Sequence, residues 1–110
     1  MYDVAIIGAG VIGAMCARTL AKYDVKVCLI EKENDVATGA TRANSAIVHA
    51  GFDAKEGSLK AKFNVRGSEM MAQVCRELGV KYKNNGSLVI GFNAEDRQTL
   101  EELLARGNAN

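Results

Sequence analysis

Gly8, Gly10 and Gly13, set in the run VAIIGAGVIG, constrain this chain more than any other feature. Residues 4–7 ahead of them are an unbroken apolar run, which predicts a parallel strand covered on both faces. The run stops at Gly8, and the three glycines then fit G-x-G-x-x-G. In that motif the first glycine allows a tight turn, the second lets backbone approach a diphosphate, and the third lets helix pack closely on strand. A helix opening at Val11 directs unpaired N–H groups and the positive end of its dipole at the same point, so an anion there is favoured twice over.

The helix should bury Ile12, Met15, Cys16, Leu20 and Tyr23, which recur at three- and four-residue steps, while Arg18 and Lys22 fall on the wet side. Residues 25–30 then read as a second strand, with Glu31 at its carboxyl end and Lys32 beside it. An acid about 20 residues beyond the glycines accepts hydrogen bonds from ribose hydroxyls, and its charge repels a 2′-phosphate, which argues against NADP. A bare G-x-G-x-x-G is weak evidence, since glycines also serve merely to tighten a βα turn. Here strand, helix, second strand and acid arrive in order, and that context points to a dinucleotide.

Composition bounds the rest. With 110 residues there is room for one ordinary domain at most. A net charge of +1 lacks the positive excess that nucleic acid demands, and few aromatics leave little for stacking on bases. Residues 4–17 carry no charge but follow Met1, Tyr2 and Asp3 rather than a basic segment, and they are too short to span a bilayer, so no leader is expected. Cys16, Cys28 and Cys75 are odd in number and widely spaced on apolar faces, which predicts buried free thiols in a reducing cytosol rather than disulfides or zinc ligands.

Residues 34–57 depart from what an NAD dehydrogenase requires, because no second helix and third parallel strand follow the acid. The segment is rich in Gly, Ala, Thr, Asn and Ser and has no sustained periodicity. A long irregular stretch in a compact domain is usually functional. Small hydroxyl and amide side chains suit a second set of hydrogen bonds to a larger, flavin dinucleotide.

At these residues the chain resembles a known family. Gly8 to Gly13, Glu31, and above all ATGATRANSAIVHAG over residues 37–51 are similar to the flavin-binding start of the FAD-dependent glycerol-3-phosphate dehydrogenases of the anaerobic respiratory type. These belong to the broader D-amino-acid-oxidase-like flavoenzymes, with L-2-hydroxyglutarate oxidases as near relatives. The resemblance implies FAD, with its diphosphate on Gly8, Gly10, Val11, Ile12 and Gly13, and its adenosine ribose on Glu31 with Lys32 adjacent. It implies further that Thr41, Asn44, Ser45, Ala46 and Ile47 pass along the diphosphate and ribityl chain, and that His49 approaches the flavin ring. Where relatives often carry a glycine or a basic residue, this chain has Ala46.

His49 is the only histidine, and it suits either proton transfer or a packing role beside the cofactor. Ser45, His49 and Asp53 raise a hydrolytic triad, but triads are defined by spatial geometry rather than by local spacing.

Leu59, Phe63, Gly67, Met70, Met71, Val74 and Leu78 form an apolar stripe predicting a helix over 58–78, with Ser58 as N-cap and Gly79 ending it. Residues 80–83 and 87–92, joined by Asn84-Asn85-Gly86, read as a β-hairpin. Asn93 should cap a last helix carrying Leu100, Leu103 and Leu104, with Glu95 and Asp96 near its positive end.

The fold class expected is α/β: a Rossmann-like FAD-binding βαβ start of a two-domain flavoenzyme, with the beginning of an antiparallel substrate-domain sheet. Residues 1–79 would belong to the FAD-binding domain and 80–110 would open the substrate-binding domain. A doubly wound domain needs more parallel strands than two, so these residues are expected to be the amino-terminal part of a longer protein. The resemblance implies that the parent is a flavin oxidoreductase taking a small anionic substrate, foremost sn-glycerol 3-phosphate to dihydroxyacetone phosphate, and passing electrons to a quinone or another acceptor. It would be cytoplasmic, with room for peripheral association at the inner face of the membrane, and would bind no nucleic acid and no metal. A 2-hydroxyacid oxidase is the alternative in the same class, and a non-catalytic nucleotide-binding or scaffold fragment the alternative in another.

Overall fold

The computed structural model describes residues 1–110. In chain order its elements are β1 (Val4–Ile7), α1 (Val11–Leu20), β2 (Val27–Ile30), α2 (Leu59–Leu78) and α3 (Ala94–Ala109). Two compact units divide the chain, Met1–Ile47 and Val48–Asn110.

In the first unit β1 and β2 pair in parallel, from Val4 opposite Val27 to Ile7 opposite Ile30, with α1 as the crossover. One further bond, Gly8 N–H to the Ile30 carbonyl at 2.7 Å, carries the ladder into the glycine turn. At the other end the Asp3 carboxylate accepts from Lys26 N–H at 2.8 Å, fixing the start of β2. That strand begins two residues later than the expected 25–30, because Val25 N–H donates to the Tyr23 carbonyl in the tight turn that follows α1.

The expected cover on both faces of β1 is absent. Val4 and Ile6 are half-buried, whereas Ala5 and Ile7 face outward, with Ile7 87% exposed. The predicted buried stripe of α1 is corrected likewise. Tyr23 lies past the helix end, Ile12 is 76% exposed, Cys16 is exposed, Met15 and Leu20 are half-buried, and Gly13 alone is buried. Two four-residue strands offer α1 too narrow a floor to cover a full helical stripe. All three thiols are free, but only Cys75 is buried; Cys28 is half-buried.

In the second unit α2 is capped at both ends as its sequence predicts. Ser58 Oγ accepts from Ala61 N–H at 3.1 Å. At the far end Gly79 takes a left-handed φ of 67°, with Gly79 N–H on the Arg76 carbonyl and Val80 N–H on the Cys75 carbonyl, the paired bonds of a Schellman motif. The face α2 buries is not the predicted one: Leu59, Phe63, Met70 and Leu78 are exposed, Met71 and Val74 half-buried, and the buried residues are Ala61 and Cys75. The reason lies in the 51–54 turn, where a Cβ added to Gly51 would stand 2.8 Å from Val65 Cγ2, so the turn rests on α2 along that side.

The end of α3 meets the same turn. Asn110 Nδ2 donates to the Gly51 and Ala54 carbonyls, both at 2.9 Å, and Phe52 packs on Gly107. Asn93 caps α3 through Asp96 N–H at 2.8 Å, and Asp96 returns a bond to Phe92 N–H.

The expected hairpin over 80–92 does not form: these residues make no strand, although Gly86 keeps a turn-like φ of 75°. Leu88 and Phe92 are 89% and 86% exposed. A two-stranded ribbon is marginal in water on its own, and this unit has no further strand for it to join. The fold is therefore mixed α/β with one parallel pair, and the antiparallel sheet is not part of it. No helix is long and apolar enough to cross a membrane.

Candidate functional site

The glycine turn is built as its spacing demands. Gly8 has φ +97°, a conformation that side chains rarely adopt. A Cβ on Gly13 would overlap the Gly8 carbonyl and stand 3.3 Å from Ile6 Cγ2, so the third glycine is what lets α1 sit on β1. Gly10 is the N-cap of α1 at φ −71°, open to any residue; what glycine supplies there is room, since an added Cβ would lie 3.1 Å from Thr41 Oγ1.

Two side chains from later in the chain reach this turn. Glu31, at the end of β2, accepts from Ala9 N–H through Oε2 at 2.7 Å, and its Oε1 accepts from Lys32 N–H at 2.8 Å and Glu33 N–H at 3.1 Å. The Ala9 bond foremost, then the Glu33 bond, holds the carboxyl below its ordinary range. Thr41 Oγ1 accepts from Val11 N–H at 2.9 Å, at the first residue of α1.

Around them lies an open cleft of about 770 Å³, walled by Gly8 and Gly10, by the end of β2 from Ile30 to Glu33, and by residues 37–41. Its floor has the features an extended dinucleotide needs: glycine backbone without side chains, the first turn of a helix, and a carboxylate at a strand end. Lys32 pairs with Glu33 at 3.3 Å, but both are exposed and the pair adds little.

Of the residues singled out from the sequence, Gly8, Gly10, Glu31, Lys32 and Thr41 line this cleft. Val11, Ile12 and Gly13 form the opening turn of α1. Asn44 brackets its own loop, donating to the Thr41 carbonyl and accepting from Ala46 N–H at 2.7 Å. Ala46 takes a left-handed φ of 54°, the position where a glycine would be unstrained. Ser45, Ala46 and Ile47 are exposed and do not line the cleft. His49 belongs to the second unit and is exposed. Asp53, in that same unit, has its carboxylate 3.6 Å from Lys60 Nζ.

Other residues of the cleft were not singled out. Ala37, at φ 59°, donates N–H to the Ala9 carbonyl at 3.1 Å, and Thr38, Gly39 and Ala40 continue the wall. The signal available was the run of small residues in ATGAT, which marks backbone that can approach closely.

Comparison with known proteins accords with this geometry. The family described as FAD dependent oxidoreductase (DAO) matches residues 3–110. A protein of Caloramator mitchellensis named glycerol 3-phosphate dehydrogenase is 56% identical over 110 residues, covering 100% of this chain and 23% of that protein. A mitochondrial L-2-hydroxyglutarate dehydrogenase of Dictyostelium discoideum is 39% identical, over 100% of this chain and 25% of its own length. A glycerol 3-phosphate oxidase of Mycoplasma pneumoniae is 38% identical, over 98% of this chain and 28% of its own length. This chain thus spans about a quarter of the length of the relatives it matches. With a βαβ glycine turn, an acid at the end of β2 and a family match over nearly every residue, the chain belongs to the FAD-dependent oxidoreductases of the DAO family.

Proposed function

We propose that this chain is the amino-terminal FAD-binding part of an oxidoreductase that converts sn-glycerol 3-phosphate to dihydroxyacetone phosphate. The observation that carries the reading is the 56% identity, across all 110 residues, with a protein named glycerol 3-phosphate dehydrogenase. Residues 1–79 are proposed to belong to the FAD-binding domain and 80–110 to begin the substrate domain.

On this reading the diphosphate rests on the glycine turn and the opening of α1, from Gly8 to Gly13, and the ribose on Glu31. The Thr41 to Ile47 loop runs along the cofactor, and His49 serves near the flavin ring, by packing or by proton transfer. When bound, FAD supplies the two-electron acceptor for a hydride leaving the carbinol carbon. The chain's own part is to hold and orient it: bare amides and a helix dipole face the diphosphate, and a carboxylate, its ionised form favoured by Ala9 N–H, accepts hydrogen bonds from the ribose hydroxyls. The onward acceptor is proposed to be a quinone or a soluble oxidant, with the enzyme in the cytoplasm or at the inner membrane face.

The 39% identity with an L-2-hydroxyglutarate dehydrogenase supports a second reading, in which the substrate is a 2-hydroxyacid. Assay of the complete protein with both substrates and an artificial electron acceptor separates them. Turnover of glycerol 3-phosphate is expected; turnover of hydroxyglutarate alone overturns the first reading.

A further inference from the structure

We propose that Thr41 is a positioning residue for the cofactor cleft, a latch whose hydroxyl holds the Val11 amide and so fixes the 33–47 loop against the first turn of α1. The proposal rests on the reading of the glycine turn as the diphosphate site. It assigns Thr41 a task that contact with the cofactor alone would not require.

Four observations combine. The Val11 N–H, at the first residue of α1, is one of the orphan donors that every helix exposes, and it is one that an N-cap side chain, which serves the next two amides, would not reach. The hydroxyl that does so comes from thirty residues later, at 2.9 Å. Thr41 is itself held: its carbonyl accepts from Asn44 Nδ2, and Asn44 Oδ1 accepts from Ala46 N–H, so one carboxamide closes the loop just behind the latch. Gly10 leaves the room this needs, since an added Cβ would stand 3.1 Å from the hydroxyl oxygen.

A second long-range bond, Ala9 N–H to Glu31, ties the same turn to β2, while Ala37 N–H binds the Ala9 carbonyl. With Gly8 N–H on the Ile30 carbonyl, the amides of Gly8, Ala9 and Val11 are all satisfied by the protein. The amides of Gly10, Ile12 and Gly13 then fall to the diphosphate. Thr41 thereby sets which donors the turn presents, and it does so before any cofactor arrives.

Hydrogen–deuterium exchange on the complete, flavin-stripped protein, read at single amides across residues 8–14, tests the latch without reference to FAD. In Thr41→Val the Val11 amide should exchange roughly three- to tenfold faster, the loss of one ordinary hydrogen bond, with Thr41→Ser close to wild type. Gly10→Ala, which leaves Thr41 in place but crowds its hydroxyl, should speed Val11 exchange as well and guards against a Thr41→Val chain that fails to fold. FAD titration of the same proteins should show the dissociation constant raised by a similar factor in Thr41→Val and restored in Thr41→Ser.

Val11 exchange unchanged in both Thr41→Val and Gly10→Ala overturns the latch. So does weakened FAD binding with Val11 exchange unchanged, which would make Thr41 a direct contact only. Wild-type protein that takes up no FAD defeats the underlying reading of the cleft, whereas the latch itself stands or falls on the exchange measurement made without flavin, so the two failures are told apart.

Discussion

The two oxygens of Glu31 accept from three backbone amides, so the side chain is at once a candidate ribose acceptor and a clasp between β2 and the glycine turn. All three bonds are stronger to the ionised form, and, the Ala9 bond foremost, they hold its pKa below the ordinary value of 4.5. A group whose folded pKa is depressed contributes stability above its unfolded pKa and loses it as pH falls through the folded value. Thermal scans from neutral to acid pH should therefore show wild type losing melting temperature below about pH 4.5, the ordinary carboxylate value. Glu31→Gln should start lower at neutral pH and show a flatter acid limb; parallel limbs would mean the clasp carries no linkage. The place of this acid and of the three glycines was legible in the sequence, because a motif fixes residue type to backbone need. That Ala37 and Ala46 would take left-handed φ was not, since alanine carries no mark of that conformation.

Elements were legible where their ends are written in side chains. Ser58 and Gly79 bound α2, and Asn93 with Asp96 opens α3, all as cap chemistry predicts. Which face each helix buries was less so, because periodicity reports an apolar stripe without reporting what lies opposite it. The stripe of α2 from Leu59 to Leu78 stays largely exposed, and the segment 87–92 has the branched apolar content of a strand yet has no strand to pair with. The caps can be weighed. Ser58→Ala removes an acceptor for Ala61 N–H and should cost about 1 kcal/mol. Gly79→Ala forces a Cβ into φ 67° and should cost roughly 1 to 2 kcal/mol. The two sites are about 30 Å apart along a helix of this length, so the double variant should show the sum in urea denaturation of the complete protein. A double variant no worse than Gly79→Ala would mean that the N-terminal turn of α2 is already frayed.

At the scale of the whole chain, no large side chain is fully buried, and Ile7, Ile12, Leu88 and Phe92 are among many large apolar residues in contact with solvent. Each unit is held by small residues, Ala9 in one and Ala54, Ala61 and Cys75 in the other. Burial of about 25 cal/mol per Å² of apolar surface is what offsets chain entropy, so such cores stabilise weakly. The relatives are about four times longer, and we propose that in the complete protein these faces are covered by further chain, beginning with strands beside β1 or β2 and beneath 87–92. Residues 1–110 expressed alone should then bind a dye that reports exposed apolar surface, and should unfold in urea with a slope well below that of a 110-residue domain, because the slope scales with the surface released on unfolding. The complete protein should bind little dye and unfold steeply. A steep transition and no dye binding by residues 1–110 alone would show a self-sufficient module and favour the non-catalytic nucleotide-binding reading, since such a chain would have no need of the surface that a second domain provides.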